Sequence, residues 1–405
     1  MTEQTTTDTP TLLDVDALVR FTQELVRIRS VHEPETGSDE SVAAALVADQ
    51  MRAFGWEPQV VEVAPGRPNV LAVIEGGGGP GPTLGFEGHT DVVTEGDLGQ
   101  WSVEPYGAEI RDGRMYGRGT ADMKAGVASM LFGVRALQLA GPFPGRVVLL
   151  VLADEEGMML GAKHVAQTEL ARSIDACIVC EPEGDEVCVA AKGAVRIALE
   201  FRGRMAHGAM PHQGRNPIVA AARLVAALEA YEEGLRETYP EHEHLGVVHV
   251  TPTVSLAGSL DQVNVIPADA SVRIDVRTVT GVDHARLVAE VEALAREGAH
   301  PLGVSVTASV IDDRPAVEIA EDHPVVQAVV AAHEAETGVV PAYGGVPGAT
   351  DGTILQRDAG VPVVVYGPGD KWIAHQADEY VDVDDLDRYA RVYADAARRF
   401  LAGDH

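Results

Sequence analysis

Gly88-His89-Thr90-Asp91-Val92-Val93 follows directly on the apolar run Thr83-Leu84-Gly85-Phe86. Side chains on a strand repeat every two residues, so an imidazole and a carboxylate at this spacing, where a strand ends, point to the same side. The pair offers a metal-ligand nitrogen and a group able to orient it. By itself it says little, but the same ending recurs along the chain. The apolar run 146–153 leads into Asp154-Glu155-Glu156-Gly157, and 174–180 leads into Glu181-Pro182. His375, in Trp372-Ile373-Ala374-His375-Gln376, follows the apolar run 361–366. Asp122 lies in the loop Gly117-Arg118-Gly119-Thr120-Ala121-Asp122-Met123, just ahead of a helical pattern.

Working outward from these strands, the spacing of Leu18, Phe21, Leu25 and Ile28 predicts a helix over 11–30. A second is expected over 41–54, with Ser38 or Asp39 as cap and Gly55 as stop, and a third over 124–140. Short apolar strands alternating with helices predict an α/β domain, a mainly parallel sheet covered on both faces. In such sheets ligands bind beyond the carboxyl ends of the strands, so the ligand-type side chains should converge. The middle third changes character. Strand 194–202, helix 217–237, strands 248–257 and 269–279, helix 284–297 and strand 303–310 follow a β-α-β-β-α-β order, a ferredoxin-like arrangement. Asn216 and Asp283 stand as caps and Gly298 as a stop. Helix 324–337, strand 361–366 and helix 384–402 then return to the α/β pattern. The expected division is a catalytic domain in two parts, 1–192 and 312–405, interrupted by an inserted domain at 193–311.

At 405 residues, 46% hydrophobic and 23% charged, the chain has the composition of a soluble two-domain protein. A formal net charge of −31 argues against nucleic acid and anionic membranes as partners. Lysine occurs only at Lys124, Lys163, Lys192 and Lys371, so arginine carries nearly all the positive charge. The N-terminus Met1–Pro10 has neither the basic region nor the apolar core of a signal peptide, and no run of about 18 apolar residues could span a membrane. Cys177, Cys180 and Cys188 read as buried reduced thiols of a cytoplasmic protein. The spacing of the first two places their sulfurs on opposite faces of a strand. The glycine-rich segment 75–82 lacks the Lys-Ser/Thr ending of a phosphate loop and is expected to be a flexible turn.

Two histidines and three carboxylates suit two divalent ions, with mixed nitrogen and oxygen donors favouring zinc and admitting cobalt or manganese. One shared carboxylate would hold the ions about 3.5–4 Å apart, a spacing that serves to activate a water and polarise a carbonyl. In an adjacent pair such as Glu155-Glu156, one member can bind metal while the other takes a proton from water.

With Gly88–Val93, Gly117–Lys124, Asp154–Gly157, Cys180-Glu181-Pro182 and Ala374-His375-Gln376-Ala377-Asp378-Glu379-Tyr380-Val381, the sequence resembles the M20 family of metallopeptidases and deacylases over nearly its whole length. The branch it resembles is that of acetylornithine deacetylase and succinyl-diaminopimelate desuccinylase. The resemblance implies that Asp122 bridges two ions, with His89 and Glu181 completing one site and Glu156 and His375 the other. It makes Glu155 the general base and later acid, and gives Asp91 the orientation of His89. It also implies a cis peptide at Asp122-Met123 and an inserted lid that forms a homodimer. Through that dimer, His207 would reach the other subunit's site and steady the oxyanion. Asn264, Arg277, Gly348 and Thr350 match substrate-binding positions. An arginine fork fits a substrate carboxylate. Ala349 departs from the desuccinylase loop, where a threonine is expected, and this argues against a succinylated substrate. The implied activity is removal of the acyl group from an N-acyl amino acid by water activated at a two-metal centre. The alternatives are a dipeptidase or carboxypeptidase on the same scaffold, or a catalytically silent metal- or ligand-binding homologue.

Overall fold

The computed structural model describes residues 12–404. The segment Met1–Pro10, read above for a leader, and the first residue of the expected helix 11–30 lie outside them. The chain forms two compact units. Of the described residues, one comprises 12–189, 318–345 and 350–404, the other Ala190–Val317 and Val346–Ala349.

The sheet of the first unit has nine strands. Eight run in the order Gln59–Ala64, Arg67–Glu75, Arg146–Leu152, Thr83–His89, Ala176–Val179, Val363–Val365, Val187–Ala191 and Val317–Glu318, and Tyr343–Val346 also pairs with Val187–Ala191. The four strands from Arg146–Leu152 to Val363–Val365 are parallel. They are buried almost throughout, because helices cover a parallel sheet on both faces, and so they read as unbroken apolar runs. The strands flanking them pair antiparallel. Gln59–Ala64 and Arg67–Glu75 form a hairpin turned at Pro65-Gly66, where Gly66 has φ 75°. Parallel strands all end at one edge, so the segments after His89, Leu152, Val179 and Val365 leave the sheet together.

The helices Val15–Val26, Ser41–Ala53, Ala125–Ala140, Pro324–Thr337 and Val383–Ala402 lie near the expected places. Ala125–Ala140 is buried on nearly every side, and its Gly133 lets the Ala390 carbonyl of the last helix approach closely. At the start of Ser41–Ala53 the expected Asp39 accepts from Ser41 N at 2.9 Å, although the cap position falls on Glu40. Glu40 occupies it without a side-chain cap bond, because its carboxylate turns inward to Arg67 and the Asp154 amide. The glycine run differs from expectation. Its backbone zips onto residues 143–145 through Gly76 N to Gly145 O (3.0 Å), Gly78 N to Phe143 O (2.9 Å) and Phe143 N to Gly76 O (2.9 Å). A Cβ at Gly76 would strike the Phe143 carbonyl, so the glycines there serve close backbone approach.

In the second unit Gly193–Arg202, His249–Ala257, Asp269–Thr278 and Ser305–Arg314 form an antiparallel sheet with His249–Ala257 and Ser305–Arg314 at its edges. Helices Pro217–Thr238 and His284–Ala299 complete the ferredoxin-like β-α-β-β-α-β order. Asn216 accepts from Ile218 N at 3.0 Å and Asp283 from Arg286 N at 3.0 Å, which sets both helix starts. Gly298 does not end its helix; the chain turns at Gly303, with φ 64°. This unit has its own core, built from residues such as Ile197, Phe201, Leu224, Ile274 and Val291.

Candidate metal centre

The strand ends deliver their side chains to one place. His89 Nε2 lies 3.1 Å from Asp122 Oδ1 and 3.3 Å from Glu181 Oε1. His375 Nε2 lies 3.2 Å from Asp122 Oδ2 and 2.9 Å from Glu156 Oε1. Two groups of metal-ligand donors result, His89–Asp122–Glu181 and Asp122–Glu156–His375, each with its ligand atoms within 4.8 Å of one another. Asp122 belongs to both and turns one oxygen to each. Among the described residues, no lysine or arginine pairs with Asp122, Glu156 or Glu181, so the charge of three carboxylates meets only the two imidazoles. Oxygen and nitrogen donors in this number and placement fit two divalent cations. The groups differ in burial: the His89 side chain is fully buried, whereas that of His375 is 51% exposed.

The ligands are held from behind. Asp91 accepts His89 Nδ1 at its backbone carbonyl (3.0 Å), with its Oδ1 at 3.4 Å. Its carboxylate is engaged chiefly elsewhere, with Oδ1 accepting from Glu155 N (3.2 Å) and Oδ2 from Glu156 N (3.0 Å). Thus Asp91 touches the His89 ring and also fixes the turn that carries Glu155 and Glu156. Asp154 caps this turn, accepting from Met158 N and Leu160 N at 3.1 and 3.3 Å. Glu379 does the same for Asp122: its Oε1 accepts from Ala121 N (3.0 Å) and Asp122 N (3.1 Å), and Oε2 pairs with Arg118. Arg118 in turn donates to the His375 carbonyl at 3.3 Å. The Asp122-Met123 peptide is cis.

Burial dominates the electrostatics. It pushes the Glu155 carboxyl well above the ordinary range, against the opposing charge of His89. It also raises Glu181, to about 8. Burial would raise Asp122 too, but hydrogen bonds from His375 and His89 outweigh it and hold that carboxyl below its usual value. His375 is raised to about 10 by its bonds to Asp122 and Glu156.

The remaining expected residues are distributed between the units. His207 is exposed in the second unit, on the two-stranded ribbon Ala206–His207 with Val265–Ile266. Its Nδ1 accepts from Ala209 N at 3.1 Å, so the neutral ring carries its proton on Nε2 as a donor. Gly208 N donates to the carbonyl of Asn264 at 2.6 Å. Arg277 is held by Asp275, Nε to Oδ1 at 2.7 Å, and an added Cβ at Gly348 would lie 3.9 Å from its Nη1. Thr350, in the first unit, is buried, and its hydroxyl has no hydrogen-bond partner among the described residues. Lys192 was not singled out in the sequence. It is half-buried near Arg277 and donates to Val247 O at 3.0 Å, and burial together with Arg277 and Arg236 lowers its pKa. A third group of ligand types, Glu183–Glu186–Cys188, is closed by Lys371, whose Nζ lies 2.9 and 2.7 Å from the two carboxylates.

A desuccinylase of succinyl-diaminopimelate from Methylobacterium nodulans is 32% identical over 395 residues, covering 95% of this chain and 96% of the relative. The enzyme of that name from Cupriavidus pinatubonensis is 32% identical over 401 residues, 95% of this chain and 100% of the relative. Among solved structures, aminopeptidase PepT from Bacillus cereus superposes with a TM-score of 0.77 at 21% identity, covering 96% of this chain and 99% of that one. The Bacillus subtilis YXEP protein, described as a dinuclear metal binding peptidase, gives 0.70 at 18% identity over 96% and 98% of the chains. These two establish a shared fold. The model of peptidase family M20/M25/M40 matches residues 85–399, and the chain is a member of that family, a hydrolase of amide bonds.

Proposed function

We propose that the chain is a cytoplasmic two-metal amidohydrolase that removes the acyl group from an N-acyl amino acid. The observation that carries this reading is Asp122, with one oxygen in each of two ligand groups and Glu155 at their side. His89, Asp122 and Glu181 would hold one divalent ion, and Asp122, Glu156 and His375 the second; zinc suits these donors best. When bound, the ions supply Lewis acidity toward a carbonyl and lower the pKa of water. Glu155 takes the proton from the attacking water and returns it to the departing amine, a task suited to a carboxyl raised by burial. Asp91 keeps His89 and the Glu155 backbone in register. His207, with Nε2 as donor, stabilises the oxyanion in the partner subunit's site. Arg277 and Asn264 receive the substrate carboxylate, with Gly348 and the Thr350 hydroxyl beside the acyl group.

Deacylation is favoured over peptide cleavage because the two relatives at 32% identity are both desuccinylases, whereas the peptidases are alike in fold alone. The test is turnover of N-acetyl, N-succinyl and long-chain N-acyl amino acids beside dipeptides. The protein is first stripped of metal and then reconstituted with zinc, cobalt or manganese. Acylated amino acids should be the better substrates, and preference for dipeptides would make the chain a peptidase. Glu155→Gln should retain two metal equivalents and lose at least about 100-fold in kcat; undiminished turnover would remove Glu155 from its role.

A further inference from the structure

Behind the Glu155-Glu156 turn lies a buried polar ring that the reaction leaves without a part. Asp154 has φ 69°, a left-handed backbone that aspartate adopts when its side chain bonds the turn locally, as here to Met158 N and Leu160 N. Glu40 Oε2 accepts from Asp154 N at 3.2 Å. Arg67 Nη1 donates to Asp154 Oδ1, and Arg67 Nε stands 3.3 Å from Glu40 Oε1. Both carboxyl groups are buried; Arg67 donates to Asp154, and it only stands beside Glu40, whose carboxyl burial raises to about 9. Asp91 grips the same turn from the side of the metal ligands, through the amides of Glu155 and Glu156. The turn is therefore clamped on two sides, and only one of the clamps touches a ligand.

The geometry points to Arg67 as a positioning residue for the general base, an inference that rests on the reading of Glu155 given above. The guanidinium holds the Asp154 carboxylate while Glu40 accepts the Asp154 amide, and the fixed Asp154 sets the direction in which the next two side chains leave the backbone. Without Arg67, the buried Asp154 carboxylate loses its cation, beside a Glu40 carboxyl that burial already raises to about 9. Asp154 then relaxes toward ordinary φ, the following peptide rotates, and the Glu155 carboxylate swings off its line. Lysine reproduces the effect only in part, because a point charge does not orient a carboxylate as a planar guanidinium does.

A cavity of about 470 Å³ borders Arg67, with His32, Ser38, Gly66 and Leu160 among its walls, and gives a small cation access to the ring. The experiment uses the full chain reconstituted with metal. Arg67→Ala should keep both metal equivalents and a KM within about threefold of the parent, while kcat falls about 100-fold. Guanidinium ion at millimolar concentration should recover at least about tenfold of that loss by taking the place of the missing fork. It should do nothing for the parent or for Arg52→Ala, an exposed arginine paired with Asp49. Arg67→Lys should fall between Arg67→Ala and the parent, and it carries the test if the alanine variant does not fold. Amide hydrogen exchange across residues 154–160 should quicken in the variants and slow again with guanidinium. That readout needs no turnover, so it decides the role of Arg67 even if the parent splits no amide and the proposed reaction fails. Unchanged kcat and exchange would overturn the proposal, as would a loss that guanidinium leaves untouched.

Discussion

Asp122 and His375 set the terms on which the second ligand group accepts a cation. In the metal-free chain His375 is held up to about 10 by its bonds to Asp122 and Glu156, so at neutral pH the ring carries a proton. A metal needs the neutral imidazole and must expel that proton. Since the protonated form is favoured below about 10, the apparent affinity of the Asp122–Glu156–His375 group should rise with pH, by up to about tenfold per unit between 6 and 8. Calorimetric titrations in buffers of different ionisation enthalpy will show it; binding that releases no proton would contradict it. At this scale the convergence of His89, Asp122, Glu156, Glu181 and His375 was legible because strand ends bearing His, Asp and Glu recur, a pattern that chance seldom repeats. Behind them Asp91 was legible too, but Glu379 and Arg67 were not. Glu379 grips Asp122 across more than 250 positions of sequence, and Arg67 reaches Asp154 across 87. Nothing in the local pattern distinguishes either from an ordinary surface charge.

Elements show a similar division between what is local and what is not. Helix starts were readable where a cap and a following apolar stripe coincide, as at Asn216-Pro217 and Asp283. The antiparallel margins of the sheet were not, since an apolar run reports burial and not direction. The glycines illustrate the limit well, because their meaning depends on what lies opposite. Gly126, in the first turn of Ala125–Ala140, has the Cys180 carbonyl where its Cβ would stand, next to the ligand Glu181. Gly126→Ala must push that strand end aside and should cost about 1–3 kcal/mol. Gly234 lies exposed within Pro217–Thr238 with nothing within 4 Å of an added Cβ. Gly234→Ala should stabilise by about 0.5–1 kcal/mol, because alanine loses less backbone freedom on entering a helix. Urea denaturation of both variants tests the pair, and equal shifts of the same sign would refute the distinction.

On the scale of the whole molecule, His207 and the metal ligands belong to different units, and the proposed reaction needs a second copy to unite them. Support comes from the second unit's edge. Among the described residues His249–Ala257 pairs with a strand on one side only, with Val250 N donating to Glu232, and Leu256, Leu260 and Val263 on or just after it are 65%, 96% and 91% exposed. Pro252 and the bulge between Pro252 and Val254 blunt the first half of this edge, so the stretch after Val254 is the part open to pairing with another chain. A formal charge of −31 per chain opposes that association, so the dimer should tighten as salt screens the repulsion, which sedimentation at low and moderate ionic strength will show. Dimerisation alone does not place His207 in the partner's site, but complementation can. His207→Ala and Glu155→Ala should each be nearly inactive. Mixed after dissociation and reassociated in equal amounts, half of the dimers carry one subunit of each kind. In such a dimer the His207→Ala subunit keeps its own Glu155 and receives an intact His207 from its partner, which rebuilds one site in two. Activity should therefore return to about a quarter of the parent value. If His207 served its own subunit, every site in the mixture would lack one of the two groups, and mixing would restore nothing.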